Sequence, residues 1–162
     1  MHEGEYEAMY GLENSYWWYV ARRILAEELL SSETNGRKSV RILDVGCGTG
    51  ANMCAFERQG TTTGVDTSIE ALTFCRTRGL QRLVLSAVEK LPFDDQTFHA
   101  VTALDVLEHT DDDLNALREI QRVCHKGGYC WLPCQPTDSC GASMTKHSSI
   151  GVDTRRMNYA TS

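Results

Sequence analysis

No run in this chain approaches the ~18 consecutive apolar residues that a membrane-spanning helix needs. The first eleven residues, MHEGEYEAMYG, are acidic and lack the apolar stretch that heads a secretory leader, so a cytoplasmic protein is expected. Basic charge is also short: 16 Lys and Arg stand against 22 Asp and Glu, giving a net charge of −6. The lack of a basic stripe to displace counterions argues against nonspecific grip on nucleic acid, none is expected, and a small molecule is the easier partner. Cysteine is not scarce, at seven, yet no CxxC occurs, and zinc ribbons depend on that spacing. Cys47, Cys54, Cys75 and Cys124 fall at turn or core positions, while Cys130, Cys134 and Cys140 are separated by three and five residues. No metal is expected, and the odd count fits reduced thiols. Strand pattern is missing after Pro136, where the remaining residues are polar and rich in glycine and serine.

What is present is one domain's worth of globular chain: 162 residues, 41% hydrophobic and 23% charged. Ile42 to Gly50 read ILDVGCGTG, an apolar run ending in an acid and followed by three glycines on alternate positions. That pattern is a strand entering a tight turn before a helix, with glycine permitting both the turn and a close ligand. The following helix start offers unpaired N–H groups to an anionic ligand group. A second short strand ends in Asp66, placed to accept both hydroxyls of a ribose. The constellation therefore reads as a nucleoside-containing cofactor lying across two strand ends.

Gly46, Gly48 and Ala51 also satisfy the dinucleotide spacing GxGxxA, so the glycines alone leave a nicotinamide-binding oxidoreductase open. Asp44 separates the two. A carboxylate beside the turn would repel a pyrophosphate, whereas the ammonium and sulfonium of S-adenosylmethionine would be favoured there.

Several stretches then carry a resemblance. ILDVGCGTG, the GVDTS of Gly64 to Ser68, AVEKLPFDDQTFHAVTALDVLEH (Ala87 to His109) and EIQRVCHKGGYCWL (Glu119 to Leu132) resemble, in order and spacing, a class I S-adenosylmethionine-dependent methyltransferase of the type 11 kind. The match covers roughly Val40 to Pro136. The opening Glu5 to Arg23 is similar to the head of methyltransferases found among polysaccharide-assembly enzymes. The resemblance implies a doubly wound, mostly parallel α/β sheet of Rossmann-like type, and relative to that family the last strands are absent, leaving a sheet edge uncovered. The division expected is 1–38, an N-terminal helical segment and linker; 39–136, the cofactor-binding core; and 137–162, a polar loop or tail. Self-association through the open edge, and a form that binds cofactor without turnover, both stay open as expectations.

By that resemblance Gly46, Cys47, Gly48 and Gly50 would hold the methionine part of the cofactor, Asp44 its ammonium, and Asp66 its ribose. Thr67 and Ser68 would lie beside the adenine or its sugar, although Ser68 is also placed to cap a helix. Val88 and Glu89 would meet the adenine end, where Ala87 stands in place of the acid or serine often found there. Asp105 would face the methionine or sulfonium end, and His109 would be the general base for a hydroxyl acceptor. The aromatic cluster Tyr6, Tyr10, Tyr16, Trp17, Trp18 and Tyr19 is read either as a lid or as a helix face packed on the sheet.

Overall fold

The computed structural model describes residues 4–34, 39–104, 106–107, 110, 112–132 and 143–146. Helices α1 (Glu5–Leu12) and α2 (Trp17–Thr34) precede β1 (Val40–Val45). Then follow α3 (Ala51–Phe56), β2 (Gly60–Asp66), α4 (Ile69–Thr77), β3 (Leu83–Leu85), a single 3-10 turn at Val88–Lys90, and β4 (Phe98–Ala103). Helix α5 (Asp113–Val123), β5 (Cys124–Leu132) and β6 (Ser143–Lys146) complete the described elements. The strands form one sheet in the order β3-β2-β1-β4-β5-β6, parallel as far as β5 and antiparallel between β5 and β6.

The two central strands explain the layering. In β1 and β4 every residue except Arg41 and His99 is buried, as near-continuous apolar runs in a sheet covered on both faces should be. Val40 and Ile42 pack with Ala26, Leu30, Ala55 and Phe56 of α2 and α3. The alternating Leu43 and Val45 pack on the opposite face with Ala116, Ile120 and Val123 of α5. This alternation puts Asp44 on the α2 side of the sheet, at the carboxyl end of β1.

Local signals set the helix starts. The Ser68 hydroxyl accepts from the Ala71 N–H at 3.3 Å, and Asp112 Oδ1 accepts from the Asn115 N–H at 3.0 Å. Arg122 of α5 donates to Glu119, Asp95 and the carbonyls of Leu91 and Phe93, and Glu119 accepts from the Leu91 N–H. The segment leading into β4 is thereby fixed on α5. The hydrogen bond from Arg122 holds the Glu119 carboxyl below its ordinary range.

Three features differ from the sequence pattern. Glu5–Leu12 is a helix of its own. The His125–Gly128 segment, whose paired glycines pattern as a turn ahead of the apolar run from Tyr129, lies inside β5, where the pairing with β4 shifts register between Phe98 and Ala100. A Cβ on Gly128 would stand 2.7 Å from the His99 carbonyl oxygen, so only glycine lets the two backbones approach this closely. Finally, Ser143–Lys146 pair with Tyr129–Leu132 although no strand was expected in the tail. An open edge recruits a short polar segment through main-chain hydrogen bonds, which leave little mark on side-chain pattern.

Candidate functional site

The turn after β1 carries positive φ at Gly46 (66°), Gly48 (53°) and Gly50 (85°). At Gly48 glycine is required twice over, since a Cβ there would also lie 2.7 Å from the Met9 methyl carbon. A Cβ on Gly46 would collide with Val106. The turn is tied to β2 by Cys47 N–H donating to the Val65 carbonyl (3.0 Å) and Gly48 N–H donating to Asp66 Oδ2 (2.9 Å). Asp66 Oδ1 accepts from Ser68 N–H at 2.9 Å, so one carboxylate orders both the glycine turn and the start of α4.

Asp44 sits in a different environment. It is 1% exposed; Oδ1 accepts from the Thr102 hydroxyl at 2.7 Å, and Oδ2 has no partner among the described residues. Burial pushes its carboxyl up to about 7, the Thr102 hydrogen bond and the charge of Arg22 oppose that rise, and Asp66 adds to it. A half-satisfied buried acid beside a backbone turn is a place where an incoming cation would be stabilised.

Helix α1 lies over this turn. Tyr6 is buried, with burial and then the Asp66 charge raising its phenol, against a hydrogen bond with Ser68. Tyr10 stacks on Phe74 at 4.9 Å between ring centroids and lies 4.2 Å from the Arg78 guanidinium carbon. Just past the helix, Glu13 is 4% exposed and ion-paired with Arg78. It also accepts from the Thr49 hydroxyl at 2.6 Å, while Arg78 Nε donates to the Thr49 carbonyl at 2.9 Å. This network pins the start of the chain to the glycine turn. Spacing could not reveal it, because Glu13, Thr49 and Arg78 are far apart in sequence; Met9 and Thr102 were likewise missed, whereas Tyr6 belongs to the aromatic cluster read as a lid or a packed face.

The remaining expected residues divide. Cys47 is buried in the turn, its sulfur 4.0 Å from that of Cys75 on α4, and Cys75 Sγ contacts the Gly48 carbonyl at 3.1 Å. The neighbouring Cys75 sulfur and then burial raise the Cys47 thiol, which suits a packing role. Thr67 is exposed at the end of β2. The Val88 side chain is buried in the core, and the Glu89 carbonyl accepts from Asn115 Nδ2 at 2.8 Å. Asp105 and His109 lie outside the described residues, but Val106 and Leu107 carry that segment past Gly46 and onto the core. Trp17 and Trp18, adjacent and so unable to point inward together on one face, are both exposed. The described residues contain no cluster of three or more metal-ligating side chains and no helix long and apolar enough to cross a membrane.

The family model for the methyltransferase domain matches residues 43–132, from the second half of β1 to the end of β5. This chain belongs to the methyltransferase-domain family. Among curated relatives, it is 30% identical over 125 residues to the demethylmenaquinone methyltransferase of Chlorobaculum tepidum, covering 75% of this chain and 49% of that one. It is 36% identical over 101 residues to the ubiquinone biosynthesis O-methyltransferase of Alkalilimnicola ehrlichii, covering 58% and 41%. A solved S-adenosyl-L-methionine-dependent methyltransferase fold from Methanococcus maripaludis superposes with a TM-score of 0.68 at 20% identity, covering 82% of this chain and 67% of that one. This methyltransferase domain thus has the Rossmann-like fold, and it spans about half the length or less of the curated relatives it matches.

Proposed function

We propose that this domain binds S-adenosylmethionine and transfers its methyl group to a small-molecule acceptor of the quinone-ring type. The observation that carries the reading is Asp44, a fully buried carboxyl with one oxygen unpartnered among the described residues, beside a three-glycine turn. Such a group is costly in the empty protein and is relieved by a ligand cation, which S-adenosylmethionine has and a pyrophosphate lacks. The acceptor class is drawn from the names of the two quinone-related relatives.

Gly46, Cys47, Gly48 and Gly50 would present backbone to the methionine part, and Asp44 would hold its ammonium. Asp66, whose oxygens each accept one N–H, keeps lone pairs for a ribose diol, with Thr67 and Ser68 alongside. Val88 and Glu89 would meet the adenine through backbone, since Ala87 offers no side-chain acceptor. The sulfonium supplies an activated methyl group, so the protein's work is to place the acceptor in line with the S–CH3 bond and exclude water. Asp105 is proposed for the sulfonium end and His109 as the base that takes a proton from an acceptor hydroxyl.

Calorimetric titration with S-adenosylhomocysteine, run beside NADH, tests the cofactor class without the acceptor. Binding of S-adenosylhomocysteine alone, abolished by Asp66→Ala, is the expected result. Binding of NADH alone would overturn it and restore the oxidoreductase reading. Cofactor binding without transfer to any quinone-type phenol would instead mark a domain that binds and does not turn over.

A further inference from the structure

Helix α2 is apolar on two opposite faces between Trp17 and Leu30. Ala26 and Leu30 point into the core, while Trp17, Trp18, Ile24 and Leu25 are 66%, 45%, 53% and 47% exposed. Leu12 and Tyr16, just before the helix, extend that outward stripe at 50% and 49% exposed. Its rings lie against one another, with centroids 6.2 Å apart for Tyr16 and Trp17 and 5.7 Å for Trp17 and Trp18. A helix on the surface of a water-soluble domain carries charge on that side. Here the first acid in line with Trp17, Ala21 and Ile24 is Glu28.

We propose that this stripe is the surface by which the domain docks on a lipid bilayer, lying in the headgroup region without crossing it. The proposal rests on the acceptor class proposed above and adds that the acceptor is apolar enough to be held in a membrane. Three observations select lipid over other occupants. Tryptophan and tyrosine, each with an apolar body and a polar tip, are the side chains suited to the headgroup boundary. In a chain of net charge −6, residues Ser15 to Ala26 contain Arg22 and Arg23 and no acid, so this stretch adds nothing to the repulsion that anionic headgroups exert on the protein. The nearest acid before them, Glu13, is buried and paired with Arg78. The six exposed side chains together offer on the order of 600 Å², short of the roughly 800 Å² per partner of a stable dimer.

The stripe also adjoins the site. Leu12 ends the same helix whose Met9 rests on Gly48 and whose Tyr6 lies by Asp66, so docking would bring the α1 cover of the turn to the membrane surface.

The test is co-sedimentation of the full chain with vesicles of phosphatidylcholine containing about one quarter phosphatidylglycerol, at about 0.1 and about 0.5 M salt. Wild type is expected to pellet at both salt concentrations, with a blue shift of tryptophan emission. Trp17→Ser together with Ile24→Ser should weaken partitioning at least tenfold, and Leu114→Ser, an equally exposed site on α5, should not. Absence of pelleting, equal pelleting of the double variant, or a concentration-dependent dimer that leaves vesicles unbound would each overturn the proposal, the last in favour of a second copy. S-adenosylhomocysteine binding is read on the same samples. Its absence with stripe-dependent pelleting would sink the cofactor reading alone, and intact cofactor binding without pelleting would sink the docking alone.

Discussion

Replacing Asp44 by asparagine keeps the shape of the side chain and removes its titration. The carboxyl moves from 3.8 to about 7 on folding, so the folded state favours its protonated form. For a group raised in this way the contribution to stability is complete below about pH 4 and is lost as pH climbs through about 7. At about 1.4 kcal/mol per unit, the full loss is on the order of 4 kcal/mol, of which roughly 2.5 kcal/mol falls between about pH 5 and about pH 8. An amide has no such dependence. It has its own cost, near 1–2 kcal/mol at every pH, because it must keep the Thr102 hydrogen bond and leave an N–H where Oδ2 has no partner among the described residues. Urea denaturation of the ligand-free protein should therefore show the Asp44→Asn variant gaining roughly 2–3 kcal/mol on wild type between those two pH values. In the same series S-adenosylhomocysteine should bind the variant about tenfold to a hundredfold more weakly at about pH 8, with the gap narrowing as wild-type Asp44 protonates below 7. A stability difference that stays flat with pH would refute the reasoning about burial. An unchanged affinity would refute the ammonium role.

Removing Arg78 leaves Glu13 buried without its charge partner, and Arg78→Ala should cost about 3 kcal/mol by thermal or urea denaturation. Adding Glu13→Gln should recover part of that loss, since the stranded charge is gone; strict additivity of the two would show that the pair does not act as a unit. Gly48→Ala forces a side chain into positive φ and against the Met9 methyl, so a loss of roughly 2 kcal/mol in stability and weaker S-adenosylhomocysteine binding are expected together. Ala87→Asp supplies the side-chain acceptor missing at the adenine end and should tighten S-adenosylhomocysteine about fivefold, near 1 kcal/mol; no gain in calorimetry would show that backbone already satisfies the adenine.

What the sequence made legible was local. Strand β1, the glycine turn and Asp66 are specified within a short stretch of chain, by apolar runs that end in acids and by glycines where only glycine fits. Ser68 was readable as a cap and is one. The features that escaped are those whose partners lie far along the chain. Thr49 and Arg78 are 36 and 65 residues from Glu13, and Cys47 and Cys75 are 28 apart, so no periodicity joins them. Strand β6 escaped for another reason, because edge pairing through backbone needs no alternation of side chains. The start of the chain was legible as aromatic but not as two helices with opposite fates, α1 turned onto the site and the start of α2 turned to the outside.

Two buried carboxylates near the turn show why burial alone does not mark a functional residue. Glu13 and Asp44 are 4% and 1% exposed. Glu13 meets a guanidinium and a hydroxyl, both of its oxygens are engaged, and its neighbours are all supplied by the chain. Its burial is accounted for within the folded protein, and its effect is to hold α1 against the turn. Asp44 has one hydroxyl on one oxygen and nothing described on the other, with the field of Arg22 too weak to keep the carboxyl in its ordinary range. Selection for stability alone would favour an amide or an apolar residue at that position. The acid with an oxygen left unsatisfied among the described residues is the one that gains most from a partner brought from outside, which is why the proposed ligand cation is assigned to Asp44 and not to Glu13.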